Sequence, residues 1–158
     1  MLLRLTALAA IILPLQACAG TGSPSVHYSL DGPPLAIAGE QGGKAFSGQL
    51  ERTAMLGQGQ AALRLDGFIC VDVIKNAPNE SGHVAAILRC DNAGLLMLTF
   101  RPLGPDQGIG IGRQLGQNGQ AYGEPLIFYF HPWEEEARRR LGQEKPILME
   151  IINKRERK

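Results

Sequence analysis

The chain has 158 residues, with 16 lysines and arginines against 15 acids and 3 cysteines, so it is long enough for one domain and nearly neutral. Near neutrality argues against general nucleic-acid binding, which needs a basic surface, and we predict no nucleic-acid partner. Twenty glycines and ten prolines interrupt the chain often, which suits many short strands better than long helices.

Residues 1–17 are typical of a bacterial export signal. Arg4 precedes an apolar run, residues 5–15, that is too short to span a bilayer comfortably. The run ends in the letters LQAC, which resemble the lipobox of bacterial lipoproteins. This resemblance implies cleavage before Cys18, acylation of that cysteine and attachment of the protein to a membrane. Several acyl chains on one residue make such an anchor stable, whereas a single chain is marginal.

The cysteine count agrees with a lipidated Cys18. Three cysteines would leave a stray thiol in a secreted protein, but assigning one of them to lipid leaves the pair Cys70 and Cys90. The alternative is an ordinary secreted protein in which Cys18 is removed or stays free. In the lipoproteins that this signal resembles, an aspartate after the anchor can retain the protein in the inner membrane. Ala19 stands there, which favours the periplasmic face of the outer membrane.

Residues 18–44 are rich in glycine, serine and proline, and we predict a flexible tether behind the lipidated cysteine. Within this region Val26–Leu30, which contains His27, and Leu35–Ala38 could each form a short edge strand. We place the folded domain at residues 45–158 and predict a single, mainly β unit with a C-terminal helix and a charged tail.

Two apolar runs, Phe68–Ile74 and His83–Cys90, flank a polar loop that is centred near Glu80. The proline, asparagine, serine and glycine residues of this loop predict a hairpin. Antiparallel pairing about that centre places Cys70 opposite Cys90, close enough for a disulfide. Such a bridge closes a loop of about 20 residues and contributes roughly 3 kcal/mol in the chain-entropy model. The alternative is two buried free thiols.

Turn signals on both sides extend this hairpin into a meander. Asp66-Gly67 favours a tight turn that joins Ala61–Leu65 to the first apolar run. The turn at 91–94 folds Leu95–Arg101 back against the second run. One face of this last strand is predicted to enter the core, namely Leu96, Leu98 and Phe100.

Glycine and isoleucine alternate over Gly108–Gly112, which leaves one side of a predicted strand without side chains. Another backbone or a bulky ring can approach such a side closely. The segment lacks the full dinucleotide-binding fingerprint and the Lys-Ser/Thr of a P-loop. Leu126–His131 is the most aromatic strand candidate. Taken together, these elements predict a single antiparallel meander that forms a small barrel or sandwich.

Pro132–Leu141 is the one clear helix. A proline opens it, acids fill its first turn and arginines its last, at i,i+4 spacing, and Gly142 is predicted to end it. Pro146–Ile152 fits either a helical face or a strand, and its β-branched content favours a strand slightly. The last residues, 153–158, form the charged tail.

No pattern in the sequence predicts a catalytic residue, a cofactor site or a metal site. The histidines His27, His83 and His131 lack partners at ligand spacing. Asp72 is the only acid in the middle of a predicted strand, where it would be partly buried and would need a partner such as Arg64 or Arg89.

Three aromatic residues join Asp72 as weak binding candidates. Tyr122, Tyr129 and Trp133 are of the types that anchor binding surfaces, although the same residue types also fill cores. The sequence therefore favours a non-catalytic, lipid-anchored envelope protein that binds a partner protein or a cell-wall component. Two alternatives stay open, an envelope hydrolase with a cryptic Asp or His site and a periplasmic enzyme inhibitor.

Overall fold

The computed structural model describes residues 28–79, 82–92 and 94–156. The predicted signal peptide, Cys18, His27 and Glu80 lie outside the described residues.

Eight antiparallel strands form a closed barrel in which each strand pairs with its neighbours in sequence and β8 pairs with β1. A 3₁₀-helix, Arg52–Leu56, joins β2 to β3, and helix α1, Glu134–Glu156, follows β8. The prediction of a mainly β antiparallel meander with a C-terminal helix is confirmed, and the meander is a barrel. The strands are β1 (Leu35–Gln41), β2 (Lys44–Leu50), β3 (Gln60–Leu65), β4 (Phe68–Val73), β5 (Val84–Cys90), β6 (Leu95–Gly104), β7 (Gln107–Leu115) and β8 (Ala121–His131).

The barrel begins inside the region that the sequence predicted as a tether. Leu35 and Ile37 are fully buried, and β1 pairs with β2 on one side and with β8 on the other. The domain therefore starts before residue 45, and its first strand closes the barrel instead of forming an edge. Residues 28–30, the described part of the other predicted edge strand, have no regular structure.

The predicted hairpins are confirmed. Leu65 lies opposite Phe68 across the β3–β4 turn, and Cys70 lies opposite Cys90 and forms a disulfide with it. The β4–β5 ladder has two partner pairs, Cys70 with Cys90 and Val71 with Arg89, whereas the β5–β6 ladder has six. The disulfide therefore joins the barrel at the seam that has the fewest paired residues.

Leucine side chains and phenylalanine rings fill the interior of the barrel. Leu96, Leu98 and Phe100 are buried, as predicted, and the side of β7 without side chains faces the rings of β8. A Cβ atom added at Gly108 or Gly110 would lie less than 3.0 Å from the ring of Phe130 or Phe128. The predicted close approach of a ring to these glycines is therefore confirmed, and the interior is a packed hydrophobic core.

Helix α1 lies on the outer face of the barrel, over β8 and β1. A second hydrophobic cluster forms between the helix and these strands, separate from the barrel interior. Its fully or nearly fully buried members are Ala38, Ile127, Tyr129, Ala137 and Leu141.

Two predictions about this helix are wrong, its end at Gly142 and the strand at residues 146–152. The helix continues through Pro146 to Glu156. Leu148 in the second half is buried, and Lys145 Nζ donates a hydrogen bond to Glu40 Oε1 on β1 at 2.7 Å. Because these contacts hold the second half against the barrel, they outweigh the backbone hydrogen bond that proline cannot make.

A buried arginine, Arg52, holds the segment that precedes β1 against one end of the barrel. The side chain of Arg52 is 8% exposed and forms an ion pair with Asp106 in the β6–β7 turn. Its guanidinium also donates hydrogen bonds to the carbonyl oxygens of Pro33, at 2.9 Å, and Ser29, at 3.2 Å. Arg52 thereby fastens the entering segment across the end of the barrel.

Candidate functional site

The structure does not bring the sequence-predicted binding candidates together. Asp72 is half-buried on the inner side of β4, as its alternation with Cys70 predicted, and its carboxylate accepts a hydrogen bond from the Val73 backbone N–H at 2.6 Å. Arg64 and Arg89, its predicted partners, lie opposite Ile69 and Val71 on the outward-facing positions. Asp72 therefore has a backbone partner in place of a guanidinium.

The three aromatic candidates have different positions. Tyr129 is buried beneath α1, where its hydroxyl donates to Gln107 Oε1 at 2.9 Å and burial raises the pKa of the phenol. Tyr122, 53% exposed, lies near the start of β8, and Trp133, 71% exposed, lies just beyond its end. At strand spacing these two are roughly 30 Å or more apart. Of the three, only Trp133 borders the groove described next.

A continuous groove runs along the outer face of β2 and β3, beside α1. It consists of three adjoining depressions, the largest about 490 Å³ in volume. The middle depression shares Gln49 and Glu134 with the first, and Ser47 and Arg64 with the second. We call this feature the β2–β3 groove.

Short side chains make the floor of the groove. In β2 the large residues Phe46 and Leu50 point into the barrel and are buried, so the alternate residues point outward. These outward positions carry small or slender side chains, which leave space beside the helix. The floor comprises Ala36, Ala45, Ser47, Gln49 and Ala62.

Paired charges line two parts of the groove. On the helix side, Arg138 Nη2 donates to Glu134 Oε1 at 2.7 Å. At the turn end, Lys44 Nζ donates to Asp66 Oδ2 at 2.8 Å. Through this hydrogen bond and the attraction of the two charges, the pKa of Lys44 is raised and that of Asp66 is lowered. Each of these pairs is electrically neutral.

Arg64 is the exposed cation of the groove that lacks a carboxylate partner among the residues that the structure describes. It lies on β3 opposite Ser47, so its guanidinium is available to a ligand in the groove. Trp133 presents its ring at the other end, beside Pro34 and Pro132. The groove thus offers an aromatic surface, a floor of short side chains, a cation at Arg64, and an acid at Glu135 beside Trp133.

Within the described part of the chain, no three His, Cys, Asp or Glu side chains are placed to hold a metal ion. No helix among the described residues is both long enough and apolar enough to cross a membrane. Comparisons of the chain with protein-family models, curated proteins and solved structures gave no match. The interpretation of the groove therefore depends on its geometry and chemistry.

Proposed function

We propose that the chain is a lipid-anchored, non-catalytic module of the bacterial cell envelope, on the periplasmic face of the outer membrane, and that it binds a partner protein in the β2–β3 groove. The lipobox-like residues before Cys18 support the anchor. The observation that carries the binding role is the groove itself, with an exposed Trp133 at one end and Arg64 at its side. Tryptophan and arginine are enriched among the residues that dominate binding energy at protein interfaces.

The dimensions of the groove suit an extended peptide segment. The groove follows β2, whose seven residues span roughly 23 Å. An extended partner segment of about seven residues has the same length. Since the backbone of β2 is already paired with β1 and β3, recognition must come from side chains. We expect the partner segment to place an apolar side chain on Trp133 and a carboxylate opposite Arg64.

The surroundings of Asp72 favour this role over the alternative of a hydrolase. Its carboxylate is bound to a backbone amide, and its neighbours on the same face, Cys70 and Ile74, are fully or almost fully buried. A hydrolase would need that carboxylate in a cleft, beside a second acid or base. An inhibitor of an envelope enzyme would be one kind of partner-binding module, and capture of the partner would identify it.

Site-specific photo-crosslinking in living cells tests the proposal. A photoreactive amino acid replaces Gln49 in the groove of the full-length protein, and the control replaces Gln117 in the exposed β7–β8 turn. We expect one discrete protein adduct from the groove position and none from the turn.

Matched aromatic variants then test the groove chemistry. Trp133→Ala should reduce the adduct about tenfold or more, as for a dominant interface residue. Tyr122→Ala removes an exposed aromatic ring at the far end of β8 and should leave the adduct unchanged. Absence of an adduct at Gln49, or equal adducts in the two variants, would contradict the proposed role of the groove.

A further inference from the structure

A second surface, which adjoins the groove at Ile69, exposes large apolar side chains. Six of them point outward from three adjacent strands, and each is between 37% and 50% exposed. Scattered single apolar residues are ordinary on a protein surface, but a contiguous group marks an interaction site. The six are Ile69, Val71, Val73, Ile87, Leu95 and Met97. We call this surface the β4–β6 wall.

The strand register makes the wall continuous. Arg89 on β5 lies between Val71 on β4 and Leu95 on β6, as the partner of each. Ile87 lies directly opposite Met97. The Cβ atoms of directly opposed residues on one face are about 5 Å apart, so the side chains of these residues are neighbours across the strands.

All charged residues at outward positions of β4–β7 are arginines. They are Arg89, Arg101 and Arg113, and no aspartate or glutamate occupies an outward position on these four strands. Arg113 lies opposite Met97, and Arg101 lies opposite Ile109. Arg89 and Arg113 therefore alternate with exposed apolar side chains of the wall, and Arg101 lies at its edge on β6.

We propose that the β4–β6 wall docks on an anionic phospholipid surface. Arginine can lay its aliphatic stem along apolar neighbours while its guanidinium binds phosphate, and apolar side chains enter the interface between headgroups and acyl chains. A second copy of the chain is a poorer occupant, because cations outnumber acids on this face. Three arginines lie on β5, β6 and β7, against Asp91 at the edge of the wall beside Ile69.

The position of the wall in the barrel fits such docking. In an eight-stranded closed barrel, β4 and β5 lie opposite β8 and β1, and α1 covers β8 and β1. With the wall on the membrane, the charged helix points away from it and the β2–β3 groove lies at the side. The inference rests on the proposed function for one point, that the anchor at Cys18 holds the domain at a bilayer.

The predicted tether is long enough to permit this orientation. Nine residues, 19–27, lie between the proposed anchor and the described chain, and the ten extended Cα–Cα steps from residue 18 to residue 28 reach about 35 Å. The barrel can therefore lie on its side beside its own point of attachment.

Vesicle sedimentation of an unlipidated chain tests the wall without its anchor. The chain begins at Ala19 and retains the whole barrel, because the first strand starts at Leu35 and the buried core residues that the structure describes lie between Leu35 and Leu148. Vesicles of equal parts phosphatidylglycerol and phosphatidylcholine are compared with vesicles of phosphatidylcholine alone. We expect binding to the anionic vesicles only, and weaker binding as the salt concentration rises.

Charge-matched variants distinguish the effect of the wall arginines on vesicle binding from the effect of the net charge of the protein. Each arginine near an anionic surface contributes about fivefold in affinity, so Arg89→Gln with Arg101→Gln should weaken binding roughly 25-fold. Arg139→Gln with Arg140→Gln removes the same charge from α1 and should change binding less than about twofold.

Equal losses in the two double variants, equal binding to both kinds of vesicle, or binding to neither would overturn the proposal. Binding to neither would leave an acidic protein as the occupant of the wall. Trp133→Ala should leave vesicle binding unchanged while it reduces the groove adduct. The proposal for the wall and the proposal for the groove can therefore be refuted independently.

Discussion

Gly110→Ala should destabilise the barrel more than an ordinary small substitution does. The new Cβ atom would lie less than 3.0 Å from the ring of Phe128, which is fully buried. Carbon atoms prefer separations of about 3.5–4.0 Å, so the ring would have to move by at least about 0.5–1 Å within a filled core. Overpacking of this kind costs about 1–3 kcal/mol in the free energy of unfolding.

Urea unfolding of the wild type and the variant measures this loss. Gly142→Ala is the matched control, because its added Cβ has nothing within 4 Å and the residue lies inside α1. That substitution should stabilise the protein, by up to about 1 kcal/mol.

A smaller ring partner should relieve the overlap. Adding Phe128→Leu to Gly110→Ala should cost less than the sum of the single substitutions, with a coupling of about 0.5–3 kcal/mol. A loss below about 0.5 kcal/mol for Gly110→Ala, or strict additivity in this pair, would refute the account of a barrel filled by rings seated on glycines.

Three further predictions concern the disulfide, the buried arginine and the helix. Replacing Cys70 and Cys90 together by serine should lower the free energy of unfolding by roughly 3 kcal/mol, measured in urea; an unchanged midpoint would argue against a bridged seam. Arg52→Ala should lower it by about 2–3 kcal/mol and speed hydrogen exchange in residues 28–34; exchange that stays slow would contradict its fastening role. Hydrogen bonds from two arginines lower the pKa of Glu136 from 4.5 to about 2, so the contribution of these pairs to stability is complete above pH 4.5 and is lost as pH falls through 2. A carboxyl NMR titration should show this pKa rising toward 4.5 in Arg139→Gln, and no change would contradict the assignment.

Local signals were sufficient for the hairpins and the disulfide. The Asp66-Gly67 turn and the polar loop after β4 fix the register through residues that are close in sequence, so Cys70 could be placed opposite Cys90 before the fold was known. The alternation of glycine with isoleucine in β7 likewise predicted a close approach, although the rings that use it, Phe128 and Phe130, belong to β8.

Long-range contacts decided the features that the sequence could not predict. β1 looked like part of a tether because its pairing with β8 joins residues that are 85 to 95 positions apart, such as Ala36 and His131. The second half of α1 contains a proline and β-branched residues, and its docking through Lys145 and Leu148 is visible only in the fold.

The candidate site shows the same limit. Tyr129 and Trp133 look alike in sequence as binding aromatics, but α1 covers the first and leaves the second exposed beside the groove. The small outward residues of β2 are readable in the sequence, whereas the helix that turns them into the floor of a groove is placed there only by packing against β8 and β1.

Mass spectrometry of the amino-terminal peptide, in protein extracted from the membranes of the producing cells, tests the proposed envelope anchor most directly. The account predicts a chain that begins at Cys18 and carries a diacylglyceryl group on its sulfur and an acyl group on its nitrogen. A peptide that begins elsewhere, or a Cys18 that carries no lipid, would contradict it.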